Sequence, residues 1–209
     1  QAEQICRQIV SRRPKCGQAY ALLGGIAFAY GRYDDAESMH RQALATDRQN
    51  ADFMCNIANV LFTQGRLREA NTLYAKALKG SPNNLVAVSG QAEVYERQGK
   101  ADKARKLIAR HMESGKPTGR MVLTWASLLE RERRDEELVA FINEHVGRTA
   151  MQTVTERSLL LMKGRALDRL GRNDEAFDAW AQGNALLAQP FPGDAWRQRL
   201  ARCRSVYEE

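Results

Sequence analysis

The sequence predicts an all-α fold, a solenoid of antiparallel helix pairs, and three observations predict it. The first is composition. Ala fills 29 of the 209 positions, and Leu, Arg, Gln and Glu are also plentiful. These residues lose little freedom in a helix, and 15 Gly with 5 Pro leave little room for linkers. The second is an internal period. Ala2, Ala36, Ala70, Ala104 and Leu138 stand 34 residues apart, and Ala176 follows after 38. Gly31, Gly65 and Gly99 keep the same spacing, Arg133 takes the next place, and Gly171 returns after 38. Cys6, His40, Tyr74, Ile108, Ile142 and Trp180 form a third row in that register. Such a period marks a repeat architecture. The third observation is punctuation. Amphipathic stretches such as ADFMCNIANVLFTQ and LREANTLYAKALKG are stopped by Gly65 and by Ser81-Pro82-Asn83-Asn84, signals that end helices.

Taken in order, residues 1–16 read as the second helix of a truncated repeat, because Ala2, Cys6, Ile9 and Pro14 occupy second-helix and exit places. An unpaired half-unit exposes an apolar face, so the chain reads as a piece of a longer protein. Full units follow at 17–50, 51–84, 85–118, 119–152 and 153–190, the third and fourth degenerate. Asp34-Asp35 and Asn173 mark helix starts, and Thr153-Val154-Thr155-Glu156 fits a capping box. The four extra residues of the longer interval are expected near Gly147 to Thr153, in a polar loop where insertion is cheap. In 191–209, Trp196, Leu200, Cys203 and Tyr207 form a helix stripe among arginines, which suits a C-terminal capping helix. More than ten helices in one continuous stack are expected.

Helix-turn-helix units of 34 residues, with small residues where the helices cross, resemble the tetratricopeptide repeat (TPR) family. The matching residues are Tyr20, Leu23, Gly24, Gly31, Tyr33, Ala36 and Ala43, then Ile57, Ala58, Leu61, Gly65, Ala70, Tyr74, Ala77 and Pro82. The third unit keeps Ala92, Tyr95, Gly99 and Ala104 but has His111 where a small residue is expected. The fourth, with Trp125, Ala126, Leu129, Leu138 and His145, lacks the turn glycine; Gly164, Leu167, Gly171, Ala176 and Trp180 restore the pattern. The resemblance implies a right-handed superhelix whose first helices line a concave groove that holds a peptide or protein partner.

Carried onto this chain, the register gives three groove rows. Phe28, Phe62, Glu96, Glu130 and Asp168 form one; Ala29, Thr63, Arg97, Arg131 and Arg169 form the second. Gly25, Asn59, Glu93, Ser127 and Arg165 form the third, with Asn56 beside Asn59. The expected peptide contacts are therefore Phe28, Asn56, Asn59, Phe62, Glu93, Glu96, Arg97, Arg131, Arg165 and Arg169. Phe28 and Phe62 suit an apolar anchor, and the asparagines suit a ligand backbone. The competing reading makes the Phe pair ordinary inter-repeat packing and the charged rows solvated ion pairs. Some relatives clamp a chaperone's terminal carboxylate. The corresponding places here carry Cys55, Asn59, Gly90, Arg120 and Thr124, and only Asn59 and Arg120 suit that role.

Other chemistry is missing from the sequence. No phosphate-binding glycine loop, H-E-x-x-H or G-x-S-x-G elbow occurs. His40, His111 and His145 sit at packing positions of second helices, and Cys6, Cys16, Cys55 and Cys203 form no metal-type pair. No catalytic residue, metal or cofactor is expected, and the cysteines are expected reduced and separate. No secretory leader or membrane-length apolar run is visible, so a cytoplasmic protein without a membrane partner is expected. The net charge is +7, from 32 basic and 25 acidic residues. Lys100, Lys103, Lys106 and Arg110 cluster, as do Arg131, Arg133 and Arg134, but Asp102, Glu132, Asp135, Glu136 and Glu137 dilute them. Without interleaved aromatic residues, nucleic acid is not the expected partner.

A narrower resemblance covers the end of the array. Gly164, Ala166-Leu167, Asp174-Glu175-Ala176-Phe177, Gly183-Asn184-Ala185-Leu186, Phe191-Pro192 and Trp196 resemble the segment closing the repeat region in bacterial TPR–sulfotransferase fusion proteins. That likeness implies a sulfotransferase domain downstream, with this chain its non-catalytic arm.

Overall fold

The computed structural model describes residues 2–187. Eleven helices occupy the described residues: α1 (Ala2–Arg12), α2 (Gly17–Ala29), α3 (Tyr33–Thr46), α4 (Ala51–Thr63), α5 (Leu67–Gly80), α6 (Leu85–Arg97), α7 (Ala101–Glu113), α8 (Gly119–Arg131), α9 (Asp135–His145), α10 (Thr153–Arg169) and α11 (Asn173–Ala185). No strand occurs among them. The capping helix expected over 191–209, and Cys203 with it, lie outside the described residues.

Even-numbered helices pack on their even-numbered neighbours, from α2 to α4 and on to α10. Each odd-numbered helix packs against the even helices flanking it in sequence. The result is one all-α solenoid of antiparallel pairs, as the period predicts. The row Ala36, Ala70, Ala104, Leu138 and Ala176 is fully buried, and its four alanines let the helices cross closely. Elsewhere one partner is a large ring and the other a glycine. A Cβ added at Gly90 would lie 2.3 Å from Cζ of Tyr74, and one at Gly164 would lie 2.1 Å from Nε1 of Trp180.

Helix ends follow local chemistry. The Asn50 side chain accepts from the backbone N–H of Asp52 and Phe53, Asn84 from that of Ala87, and Thr118 from that of Met121. These caps satisfy donors that the first turn leaves free. The odd helices from α3 onward begin after Arg32, Arg66, Lys100, Arg134 and Arg172, none of which caps through its side chain.

Two sequence expectations change here. The capping box at Thr153–Glu156 does not form, because Gln152 is the N-cap of α10 and Thr153 is already helical. The four extra residues are not loop either. Helices α2, α4, α6 and α8 each span 13 residues, whereas α10 spans 17. The insertion therefore adds one turn at the start of α10, because four residues complete a helical turn without disturbing the packed face.

Candidate groove site

Arg120 at the start of α8 donates through Nη1 to Oδ1 of Asn59 on α4, at 3.3 Å. Those helices are two repeats apart, so the array curves toward this face, which is its concave side. The same asparagine oxygen accepts from Tyr74 Oη at 2.7 Å. Arg120 also grips Glu93 on α6, Nε to Oε1 at 2.8 Å and Nη2 to Oε2 at 2.6 Å. Burial opposes the Arg120 charge, but the Glu93 carboxylate more than offsets it and holds the guanidinium above its usual range. Burial likewise pushes the Tyr74 hydroxyl up to about 12 and the Cys55 thiol up to about 12. Neither is a nucleophile near neutral pH.

Above this cluster lies a hollow of about 400 Å³ lined by Gly25, Phe28, Asn56, Asn59, Phe62, Thr63, Arg120 and Gln152. Four of the sequence-predicted contacts, Phe28, Asn56, Asn59 and Phe62, thus converge. Both rings are half-buried. Phe28 packs edge-on against Tyr33 at 5.5 Å between centroids, and the Arg97 guanidinium covers Phe62 at 4.3 Å. Asn56 and the Nδ2 of Asn59 make no side-chain hydrogen bond among the described residues. Their donors remain available to a guest.

The remaining predicted residues do not line the hollow. Glu96 pairs with Arg131 at 3.0 Å, and Arg131 also donates to the Glu96 carbonyl at 2.9 Å. Burial raises the Glu96 carboxyl above its ordinary value although Arg131 pulls it down. Arg165 holds Glu130 at 2.9 and 3.2 Å. Arg169 donates to Asp135 on α9, with Nε at 3.1 and 3.0 Å from its two oxygens, and not to its sequence neighbour Asp168. Asp135 is buried whereas Asp168 is exposed, so the guanidinium goes where the carboxylate has lost water. Sequence reasoning passed over Arg120 as an isolated clamp position, and it missed Gln152 because that residue, in register with the N-caps Asn50, Asn84 and Thr118, falls at a helix boundary outside the first-helix rows.

A second hollow, about 550 Å³, is lined by α7, α8, α9 and their connections, with Met112, Trp125, Phe141 and His145 in its wall. Its rings are spent on each other. Trp125 stacks on Phe141 at 6.4 Å and Phe141 on His145 at 4.3 Å, while His145 Nδ1 donates to the Phe141 carbonyl at 3.0 Å. Cys6, Cys16 and Cys55 are free thiols. No described helix is long and apolar enough to cross a membrane.

Comparison with known proteins places this architecture. A tetratricopeptide repeat family model matches residues 27–74 and 61–120. No curated protein matches the sequence. Among solved structures, a chain of the APC/C hetero-tetramer Cut9-Hcn1 superposes with a TM-score of 0.80 at 14% identity. The alignment covers 89% of this chain and 36% of that one. Pseudomonas aeruginosa pilF gives 0.67 at 19% identity, covering 93% and 86% of the two chains. YrrB, described as a TPR protein with an unusual peptide-binding site, gives 0.57 at 13% identity, covering 87% and 92%. The helix pairs within residues 27–120 match the tetratricopeptide repeat model, and the fold of the described array is shared with solved TPR proteins.

Proposed function

We propose that this array of tetratricopeptide repeats is a protein–protein interaction scaffold whose concave groove binds a peptide segment of its partner. One observation carries the reading. Phe28, Phe62, Asn56 and Asn59, from two successive first helices, surround one hollow of peptide side-chain size with unspent amide donors. Glu93, Glu96, Arg131, Arg165 and Arg169 belong to the flanking walls, where paired charges set orientation more than affinity, and Arg97 covers the Phe62 ring. YrrB, by its description, uses the same fold for a peptide.

The test begins with a peptide array probed with the purified chain. Phe62→Ala is expected to weaken the selected peptide by about 30-fold, the loss of a hot-spot anchor worth about 2 kcal/mol. Lys103→Glu with Lys106→Glu, on exposed positions of α7, should leave binding unchanged. If the lysine pair abolishes binding while Phe62→Ala and Asn59→Ala do not alter it, the working surface is convex and basic. The second reading, a non-catalytic arm of a sulfotransferase that holds substrate or mediates assembly, is carried by the sequence likeness around Gly164–Trp196 alone. Coding sequence beyond Glu209 decides it.

A further inference from the structure

We propose that the segment leading into α10 forms one wall of the groove site, with Gln152 as a guest-contacting residue. The guest is then an uncharged stretch of extended polypeptide bearing one apolar side chain, not a terminal carboxylate. The inference rests on the groove reading and narrows it.

The first support is an N-cap that does not cap. Asn50, Asn84 and Thr118 spend their side chains on the helices they precede. Gln152 stands at the same place before α10, with φ −71 and ψ 145, yet makes no cap hydrogen bond. The residue lines the hollow with Phe28 and Asn56, and its side-chain amide makes no hydrogen bond among the described residues. The segment is seated by close contact. A Cβ at Gly119 would lie 2.5 Å from Met151 Cβ and 3.2 Å from its Cα, so only glycine lets this backbone lie against α8.

The second support is the charge balance of the walls. Arg120 is the charged side chain lining the hollow, and the bidentate Glu93 pair occupies it. An anionic guest must break that pair, and a cationic one meets the guanidinium. The uncommitted polar groups are neutral amides: Asn56, the Nδ2 of Asn59, and Gln152. An amide offers both donor and acceptor, which matches the N–H and C=O of a peptide main chain. Room for a side chain remains beside Gly25, where an added Cβ would meet nothing within 4 Å.

The experiment uses a library of short acetylated peptides, each made as C-terminal amide and as free acid. Dissociation constants are read by fluorescence polarisation for the wild type, Gly25→Leu and Gln152→Ala. Selected peptides should share an apolar residue within an uncharged stretch, and amide and acid forms should bind alike. Gly25→Leu, which fills the open space, should abolish binding; Gln152→Ala should weaken it about tenfold, one well-made hydrogen bond. Binding that survives Gly25→Leu, or a library without binders, overturns the groove reading and this proposal with it. If Gly25→Leu abolishes binding but Gln152→Ala has no effect, or if the free acid is required, the proposal falls and the groove stands.

Discussion

His40 shows how one side chain can set the pH range of a repeat. It is 4% exposed, it fills the space left by Gly24, and its Nδ1 has no hydrogen-bond partner. Burial without a partner disfavours the charged ring and lowers its pKa from 6.5 to about 4. The folded pKa lies below the unfolded one, so between these values the unfolded chain binds a proton that the folded chain refuses. Stability is complete above pH 6.5 and declines as pH falls toward 4, by about 3 kcal/mol in all. Urea unfolding at pH 7 and pH 5 should therefore separate more for the wild type than for His40→Leu. Equal pH slopes would mean the ring is hydrated or paired. The burial of this row was legible in the sequence, because Tyr74, Ile108 and Ile142 share its register and are fully buried. The orphaned nitrogen was not, since a spacing argument places a ring without saying what its atoms meet. Arg120 with Asn59 is the same case. Their separation of 61 positions is bridged by curvature, which a period does not encode.

Turns repeat one device with one defect. Arg32, Arg66, Lys100, Arg134 and Arg172 each donate a backbone N–H to the carbonyl five residues back, at 2.8 to 3.1 Å. This closure of a helix C-terminus needs a left-handed residue just before the donor. Gly31, Gly65, Gly99 and Gly171 supply it, with φ between +72 and +78. In the fourth unit Arg133 adopts φ +57, a conformation that crowds its Cβ against backbone. The lost turn glycine that makes this repeat look degenerate has thus not altered the turn; it has strained it. Arg133→Gly should stabilise the protein by about 1 kcal/mol, read as a higher denaturant midpoint at unchanged slope. A neutral or destabilising result would show that the exposed arginine side chain compensates for its backbone.

Along the whole molecule the core is not evenly distributed. Twelve buried residues join α8 to α11 and ten join α4 to α6. Between these blocks only Val88, Ala92, Ile108 and Met121 form the bridging cluster. Helix α7 buries just Ala104 and Ile108 and turns lysines outward at 103 and 106. In a solenoid, stability is close to a sum of unit and interface contributions, so a thin interface opens first. The groove straddles this junction. Phe28, Asn56, Asn59 and Phe62 lie on its N-terminal side, whereas Arg120 and Gln152 come from the C-terminal side. The ion pair between Arg120 and Glu93 bridges the two. The width of the hollow is therefore coupled to the α6–α8 interface, and a guest touching both walls would tie the blocks together. Hydrogen exchange followed by mass spectrometry should show α7 amides exchanging faster than those of α4, α5, α9 and α10. Arg120→Met should widen that difference by releasing the pair across the junction. Exchange in α7 as slow as in α4 would mean that the array opens as one unit, and the groove would then be a rigid surface with no hinge beneath it.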